Sequence, residues 1–379
     1  MTRPCYFYLP ADGEPLLMVH HVDAGKFTDS GVRVTTYNSP DSMLTALGRL
    51  FSGVSKVAME YSPENRLPRV SKVDAGTIEL VRSLGPEVLS SADWMQYATH
   101  QWAPEQLADH RATATKLGCI VNEAFTDAGK HLLDGTNEFQ VAEFIRSRLS
   151  EEKLASPDGA IVAVNANASD PHYERSADRY SAIEKGDWLL IDLLAKGTTP
   201  GSVYADNTWV AYVGDFVPAR QQEIFDIVIG ARDAALSYLE DAPNQGTSVQ
   251  GWQAYQVARD SIPGRGYGEY FTHRYGHSIW FEVHSGSINL DEFETHDTRH
   301  IIPGICFSIQ PSIYLPEFGV RSELDVFMSV DGPYASSPVQ HEVVMIKDRN
   351  PHHICPPNAP AIRIGATPFN SISLSRATL

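Results

Sequence analysis

Residues 186–214 read GDWLLIDLLAKGTTPGSVYADNTWVAYVG, two apolar runs around the polar segment KGTTPGS. Gly, Thr and Pro favour a turn there, so a β-hairpin centred on Thr199 is predicted. That register sets Asp192 opposite Asp206. Alternate residues share a face of a strand, so Asp192, Asp206 and Thr208 project to one side. Directly opposite residues have Cβ atoms roughly 4.5–5.5 Å apart. Two carboxylates at that spacing repel unless a cation or a proton lies between them. The blander alternative is a solvated acidic face.

The pattern recurs downstream. In GICFSIQPSIYL and GVRSELDVFM, a turn between Pro316 and Glu317 sets Gln310 opposite Glu323, again within apolar strands. A buried Gln beside a buried carboxylate could equally be a plain hydrogen-bonded pair. Between the hairpins lies HRYGHSIWFEVHS, residues 273–285, with His273, His277 and His284. The spacing is not the helical HExxH arrangement, and Gly276 with Ile279, Trp280 and Phe281 suggests strand or loop. Flanked by two acid-bearing hairpins, these histidines point to metal binding or acid–base chemistry. His172 in NANASDPHYE is a further candidate, on a polar loop ahead of the first hairpin. His296 and His300 are expected at the surface.

Working outward, 379 residues with 42% hydrophobic content supply a real core and suggest two to three domains. The 47 acidic against 30 basic residues give a net charge of −17, which disfavours nucleic acid and anionic membrane as partners. Cys5, Cys119, Cys306 and Cys355 lie far apart, so no zinc ribbon or disulfide framework is indicated. The amino terminus lacks a signal-peptide core and no apolar stretch has membrane-spanning length, so a cytoplasmic chain is expected. Residues 1–100 alternate short strands and helices and are assigned to a small amino-terminal α/β domain. A helix is expected over 104–128, a second over 137–151 and a third over 218–239, from apolar spacings of three and four. Residues 101–348 form the expected catalytic domain, and 349–379 a Pro- and Ser-rich tail.

The ordered set of a PHY-type histidine, an Asp–Asp hairpin, the three-histidine segment and a final GVRSE hairpin resembles the pita-bread metallopeptidase family. That family includes prolidase (Xaa-Pro dipeptidase), aminopeptidase P and methionine aminopeptidase, with creatinase as a metal-free relative. The likeness runs over residues 104–345 and is nearest to the prolidase branch. It implies an α/β (α+β) fold and a metal-dependent hydrolase in which activated water attacks the amide bond of a short peptide. It also implies a divalent metal cofactor, manganese before cobalt or zinc, in one or two ions, and a homodimer. By the same resemblance Asp192, Asp206, His277 and Glu323 are metal ligands, with Asp206 and Glu323 bridging. His172, His273 and His284 would contact substrate and stabilise the tetrahedral intermediate, with Arg321 and Thr208 supporting the metal site from behind. Gln310 stands where the family places a fifth ligand, a glutamate. The aspartates lie 14 residues apart, a longer hairpin than the family's, and Trp280 replaces the usual glycine. Glutamine's carbonyl can ligate a hard cation but brings no charge and cannot take a proton from water. The alternative is therefore a metal-poor or metal-free, creatinase-like enzyme acting on a small metabolite through His and carboxylate acid–base chemistry.

Overall fold

The computed structural model of the chain describes residues 3–174, 176–244, 248–262 and 266–348. The expected tail, with Cys355, lies outside them. The chain divides into two compact units between Ala92 and Asp93. The expected boundary at residue 101 is thus too late. Trp102 donates its backbone N–H to Gly304 O at 2.7 Å, and the Gln96 side chain reaches His300 O, so this stretch belongs to the second unit.

In the first unit, Tyr6–Tyr8 pairs antiparallel with Leu16–His20, which runs parallel to Arg33–Tyr37. A helix at Pro40–Leu50 starts on a capping box between Ser39 and Ser42, with Pro40 supplying the pre-set φ of a first turn. A second, Ala75–Ser83, is capped by Asp74, whose carboxylate accepts from Thr77 N. Met18, Leu47, Ile78 and Val81 are the centre of its core. The expected small α/β unit is present.

After a short helix at Ala92–Thr99, the second unit continues with α1 (Pro104–Lys130) and α2 (Glu138–Glu151). The strand β1 (Ile161–Val164) pairs antiparallel with β2 (Trp188–Gly197), and β2 with β3 (Ala205–Val213). Next come α3 (Ala219–Asn244) and α4 (Gly251–Ser261), the latter without a helix expectation from the sequence. A four-stranded sheet then runs β4 (Ser278–Ile279), β5 (Cys306–Ile309), β8 (Leu324–Ser329), β9 (Gly332–Ala335); β6 (Ser312–Tyr314) and β7 (Gly319–Arg321) form a separate ribbon. Finally β10 (Val344–Ile346) lies parallel to β3.

Side-chain alternation along β2 and β3 divides two cores. Leu189, Ile191, Leu193, Trp209 and Ala211 pack with Leu117, Val121 and Phe125 of α1. Trp188, Leu190 and Val210 face the other way, toward Phe225 and Val228 of α3 and Phe307 and Leu324 of the second sheet. Asp192, Asp206 and Thr208 fall on this second face by the same period of two. The polar residues are therefore sealed between two sheets.

The first hairpin corrects one expectation. Asp192 pairs with Thr208 and Asp206 with Leu194, two residues away from the expected register. The turn sits at Thr199–Ser202, closed by Ser202 N donating to Thr199 O, with Gly201 at φ +89°. A shift of two preserves parity, so both carboxylates keep the expected face. The second hairpin has the expected register: Ser312 opposes Arg321, and Cys306 opposes Phe327. Cys5 and Cys306 are free thiols, while Cys119 is disulfide-bonded, which the spacing did not indicate. No helix among the described residues is long and apolar enough to cross a membrane.

Candidate metal centre

Two close backbone approaches build the pocket. A Cβ at Gly276 would lie 1.9 Å from Ser308 O, so only glycine lets the 273–278 segment lie against β5. Gly276 thereby sets His277 in the interior, where its N–H donates to Ser308 Oγ at 3.3 Å. A Cβ at Gly319 would lie 2.0 Å from Ala168 O, which brings the loop before His172 onto the second hairpin. Ser169 Oγ donates to Leu315 O in the same seam, and Trp188 Nε1 donates to Gly319 O at 2.9 Å.

At the centre are Asp206, His277 and Glu323, each offering a donor atom within 4.8 Å of the others. His277 Nε2 is 3.7 Å from Asp206 Oδ2 and 3.8 Å from Glu323 Oε1. All three side chains are at most 5% exposed. Asp206 Oδ1 and Glu323 Oε1 are buried without a hydrogen-bond partner. The other Glu323 oxygen accepts from Thr208 Oγ1 at 2.8 Å. Burial, then the neighbouring charges of Glu323 and Asp192, pushes the Asp206 carboxyl well above its usual range. Burial, then Asp192, lifts Glu323 to about 8. Burial, reinforced by His284, holds His277 neutral, well below the ordinary imidazole value. A neutral imidazole and two carboxylates with free oxygens fit a divalent ion: donors 3.7–3.8 Å apart can share one through bonds of about 2.0–2.2 Å.

Asp192 sits beside this group but is engaged differently. Its Oδ2 accepts from Arg321 Nη2 at 2.5 Å, while Oδ1 has no partner. Arg321 is itself fixed at every nitrogen, Nε donating to Thr208 Oγ1 at 3.0 Å and Nη1 to Tyr314 Oη at 2.7 Å. Tyr314 Oη lies 2.9 Å from His273 Nε2, which is also 2.9 Å from Ser312 Oγ. His273 Nδ1 lies 2.5 Å from Arg274 O and must carry the proton, leaving Nε2 as an acceptor. Burial, then Arg321, lowers the His273 pKa to about 4, consistent with that neutral form.

The remaining sequence candidates are more peripheral. His284 is exposed, its ring 4.2 Å from that of His277. His172 is exposed, its N–H on Asp170 Oδ1. Gln310 is half-buried and its N–H donates to Tyr275 O at 2.7 Å. Trp280 packs on His100 and Phe281, with ring centroids 4.8 and 4.1 Å away.

Three residues escaped the sequence analysis. Asp325, fully buried, accepts from Asp206 N through Oδ2 at 2.9 Å. His110 of α1, also fully buried, lies 2.8 Å from Tyr204 O and from Ser336 Oγ, and 3.7 Å from Asp325 Oδ2. Burial lowers its pKa to about 4. Glu138 accepts four hydrogen bonds, from Val164 N, Asn167 Nδ2, Tyr173 Oη and Ser181 N, and so shapes the loop bearing His172. The available signal was an acidic residue just inside a helix start, followed by a strand needing anchorage.

The sequence matches metallopeptidase family M24 over residues 113–329. The Xaa-Pro dipeptidase of Lactobacillus delbrueckii subsp. lactis is 29% identical over 238 residues, 62% of this chain and 60% of that protein. The Xaa-Pro dipeptidase of Lactobacillus helveticus is 31% identical over 219 residues, 57% of this chain and 55% of that protein. The matched part thus spans about three-fifths of these relatives' length. Among solved structures, dipeptidase PepE from Mycobacterium ulcerans superposes with a TM-score of 0.64 at 23% identity, covering 91% of this chain and 87% of that one. The X-Pro aminopeptidase of Thermotoga maritima gives 0.57 at 22% identity, covering 88% of each chain. These likenesses are of fold.

Proposed function

The chain belongs to metallopeptidase family M24, and from that membership we propose that it is a divalent-metal-dependent hydrolase of the Xaa-Pro dipeptidase kind. One observation carries the proposal: Asp206 and Glu323 hold unpartnered oxygens beside the neutral His277, with all three side chains at most 5% exposed. Buried carboxylates without partners are costly, and a cation removes that cost. Asp206, His277 and Glu323 would hold the ion. When bound, it supplies Lewis-acid chemistry, acidifying water and polarising an amide carbonyl. A donor set of oxygens with one imidazole suits manganese, cobalt or zinc, and manganese is our first choice.

The protein groups divide the remaining work. Thr208 Oγ1 orients Glu323 by donating to Oε2, and receives a hydrogen bond from Arg321. Burial lifts the Glu323 pKa to about 8 without metal, so binding an ion there displaces a proton. His284, at the exposed edge of the cluster, is assigned donation to the oxyanion of the peptide under attack. His172 is assigned substrate contact from its loop. His273 was expected to touch substrate; with both nitrogens engaged by the protein, it is assigned instead to holding Tyr314 and, through it, Arg321. By the resemblance Gln310 stands where a carboxylate would take protons, and its amide cannot. A peptide substrate and a homodimer rest on the resemblance.

The test is hydrolysis of Xaa-Pro dipeptides by protein stripped of metal with chelator, then reloaded with manganese. Activity that vanishes on stripping and returns on reloading supports the proposal. Activity that survives complete metal removal overturns it.

A further inference from the structure

We infer that Lys196 binds the substrate's free carboxylate, and so selects an apolar peptide that ends one residue beyond the bond to be cut. The inference rests on the peptidase reading above and names the group that would restrict it to dipeptides. Lys196 lies in β2 two residues beyond Leu194, the partner of Asp206, and by alternation shares the face of Asp192 and Leu194. Its ammonium donates to Phe281 O at 2.8 Å and stands 4.7 Å from the centre of the Tyr204 ring. Tyr204 N donates to Trp280 O at 2.9 Å, so consecutive carbonyls of one loop are tied to β2 and to the residue that leads into β3. That loop returns to β4 through Ser285 N on Ser278 O and brings the His284 ring to 4.2 Å from that of His277. The ammonium is thus held between the strand of Asp206 and the loop of His284.

Charge and surroundings define the ligand. An ammonium has three N–H donors, and Phe281 O takes one of them. Among the described residues no carboxylate forms an ion pair with Lys196, although the chain carries 47 acidic residues. The two arginines nearest in sequence to the candidate metal ligands are already neutralised, Arg274 by Glu294 and Arg321 by Asp192. Lys196 is half-buried, and the half-buried Leu194, Trp280, Phe281 and Val283 pack in one apolar cluster with Tyr204. A cation without a counter-ion beside an apolar wall matches an apolar residue that ends in a carboxylate. Spacing sets the length. Two residues of strand, about 7 Å, separate Lys196 from the position opposite Asp206. One substrate residue covers about 3.5 Å of that and a charge-assisted hydrogen bond about 2.8 Å. A C-terminal amide or a longer chain brings no charge to this point.

The experiment compares hydrolysis of Ala-Pro and of Ala-Pro-amide by the manganese-loaded full chain, K196M and K196R. Wild-type kcat/KM is expected to be about 10- to 100-fold higher for the free acid, with the difference in KM. K196M should lose that preference through a raised KM for the acid, and K196R, which keeps the charge, should retain most of it. Equal rates on acid and amide in the wild type, or an undiminished preference in K196M, overturns the inference and leaves the peptidase reading intact. Loss of the preference in K196R equal to that in K196M assigns the side chain to packing alone and also overturns it. No hydrolysis of either compound by the loaded wild type overturns the peptidase reading, and this inference with it. Should K196M fail to fold, K196Q, which can still donate to Phe281 O without charge, carries the comparison.

Discussion

Two polar clusters lie side by side between the sheets, and they are finished to different degrees. In the chain Asp192–Arg321–Tyr314–His273, nearly every donor and acceptor is satisfied within the protein. In the group Asp206–His277–Glu323, two carboxylate oxygens point at no hydrogen-bond donor and the imidazole nitrogen stands 3.7–3.8 Å from both acids. The first cluster leaves one oxygen open, Asp192 Oδ1, and carries its own cation, Arg321; the second leaves two open beside a neutral imidazole. Shared chemistry and shared burial therefore do not imply shared roles, and the tally of satisfied atoms separates scaffold from site.

The largest expected effect falls on the unfinished group. Asp206→Ala should abolish metal retention, read by elemental analysis after removal of loose ions. Full metal content in that variant would put Asp206 outside the centre. The finished chain should respond in stability instead. Arg321→Met strands the Asp192 carboxylate, and urea denaturation should show a loss of about 3–5 kcal/mol. Adding Asp192→Asn should recover much of it; an Arg321→Met protein of unchanged stability would mean the pair carries no structural weight.

An intermediate effect separates the clusters by pH. Glu323 has a folded pKa raised to about 8, above its unfolded value, so its contribution is fully present below the unfolded carboxylate range. That contribution is lost as pH rises through about 8 in metal-free protein. Denaturation midpoints of metal-free protein should accordingly fall between mildly acidic pH and pH about 8, and manganese should abolish the fall. Metal binding should also release protons and tighten over the same range, measurable by calorimetry in buffers of different ionisation enthalpy. A flat profile without metal would mean that Glu323 is not desolvated as the structure has it. The smallest effect is expected for Tyr314→Phe, which removes the hydroxyl between Arg321 and His273. A cost of about 1–3 kcal/mol should appear with metal content unchanged.

How far the sequence revealed this arrangement depended on whether a feature was periodic. The common face of Asp192, Asp206 and Thr208 follows from alternation, and it survived a register error because the error was even. The second hairpin was placed correctly since Pro316 and Glu317 leave little freedom in the turn. The first was misplaced because the polar run from Lys196 to Ser202 offers several turns, and only the positive φ of Gly201 selects one. His110, Asp325 and Glu138 were invisible for a different reason. Each sits alone in its own segment, and its partners come from elements far away in the chain. Hydrogen-bond saturation could not be read either: the letters of His273 and His277 are the same, and only the fold shows one ring engaged by Tyr314 and Arg274 and the other facing two carboxylates.

The central claim is that the unfinished cluster is the metal centre. Its most direct test is a crystal of manganese-loaded protein measured on both sides of the manganese absorption edge. An anomalous peak about 2.0–2.3 Å from Asp206, His277 and Glu323 is predicted. A fully loaded crystal whose peak lies elsewhere, or that shows none in this pocket, would contradict the account.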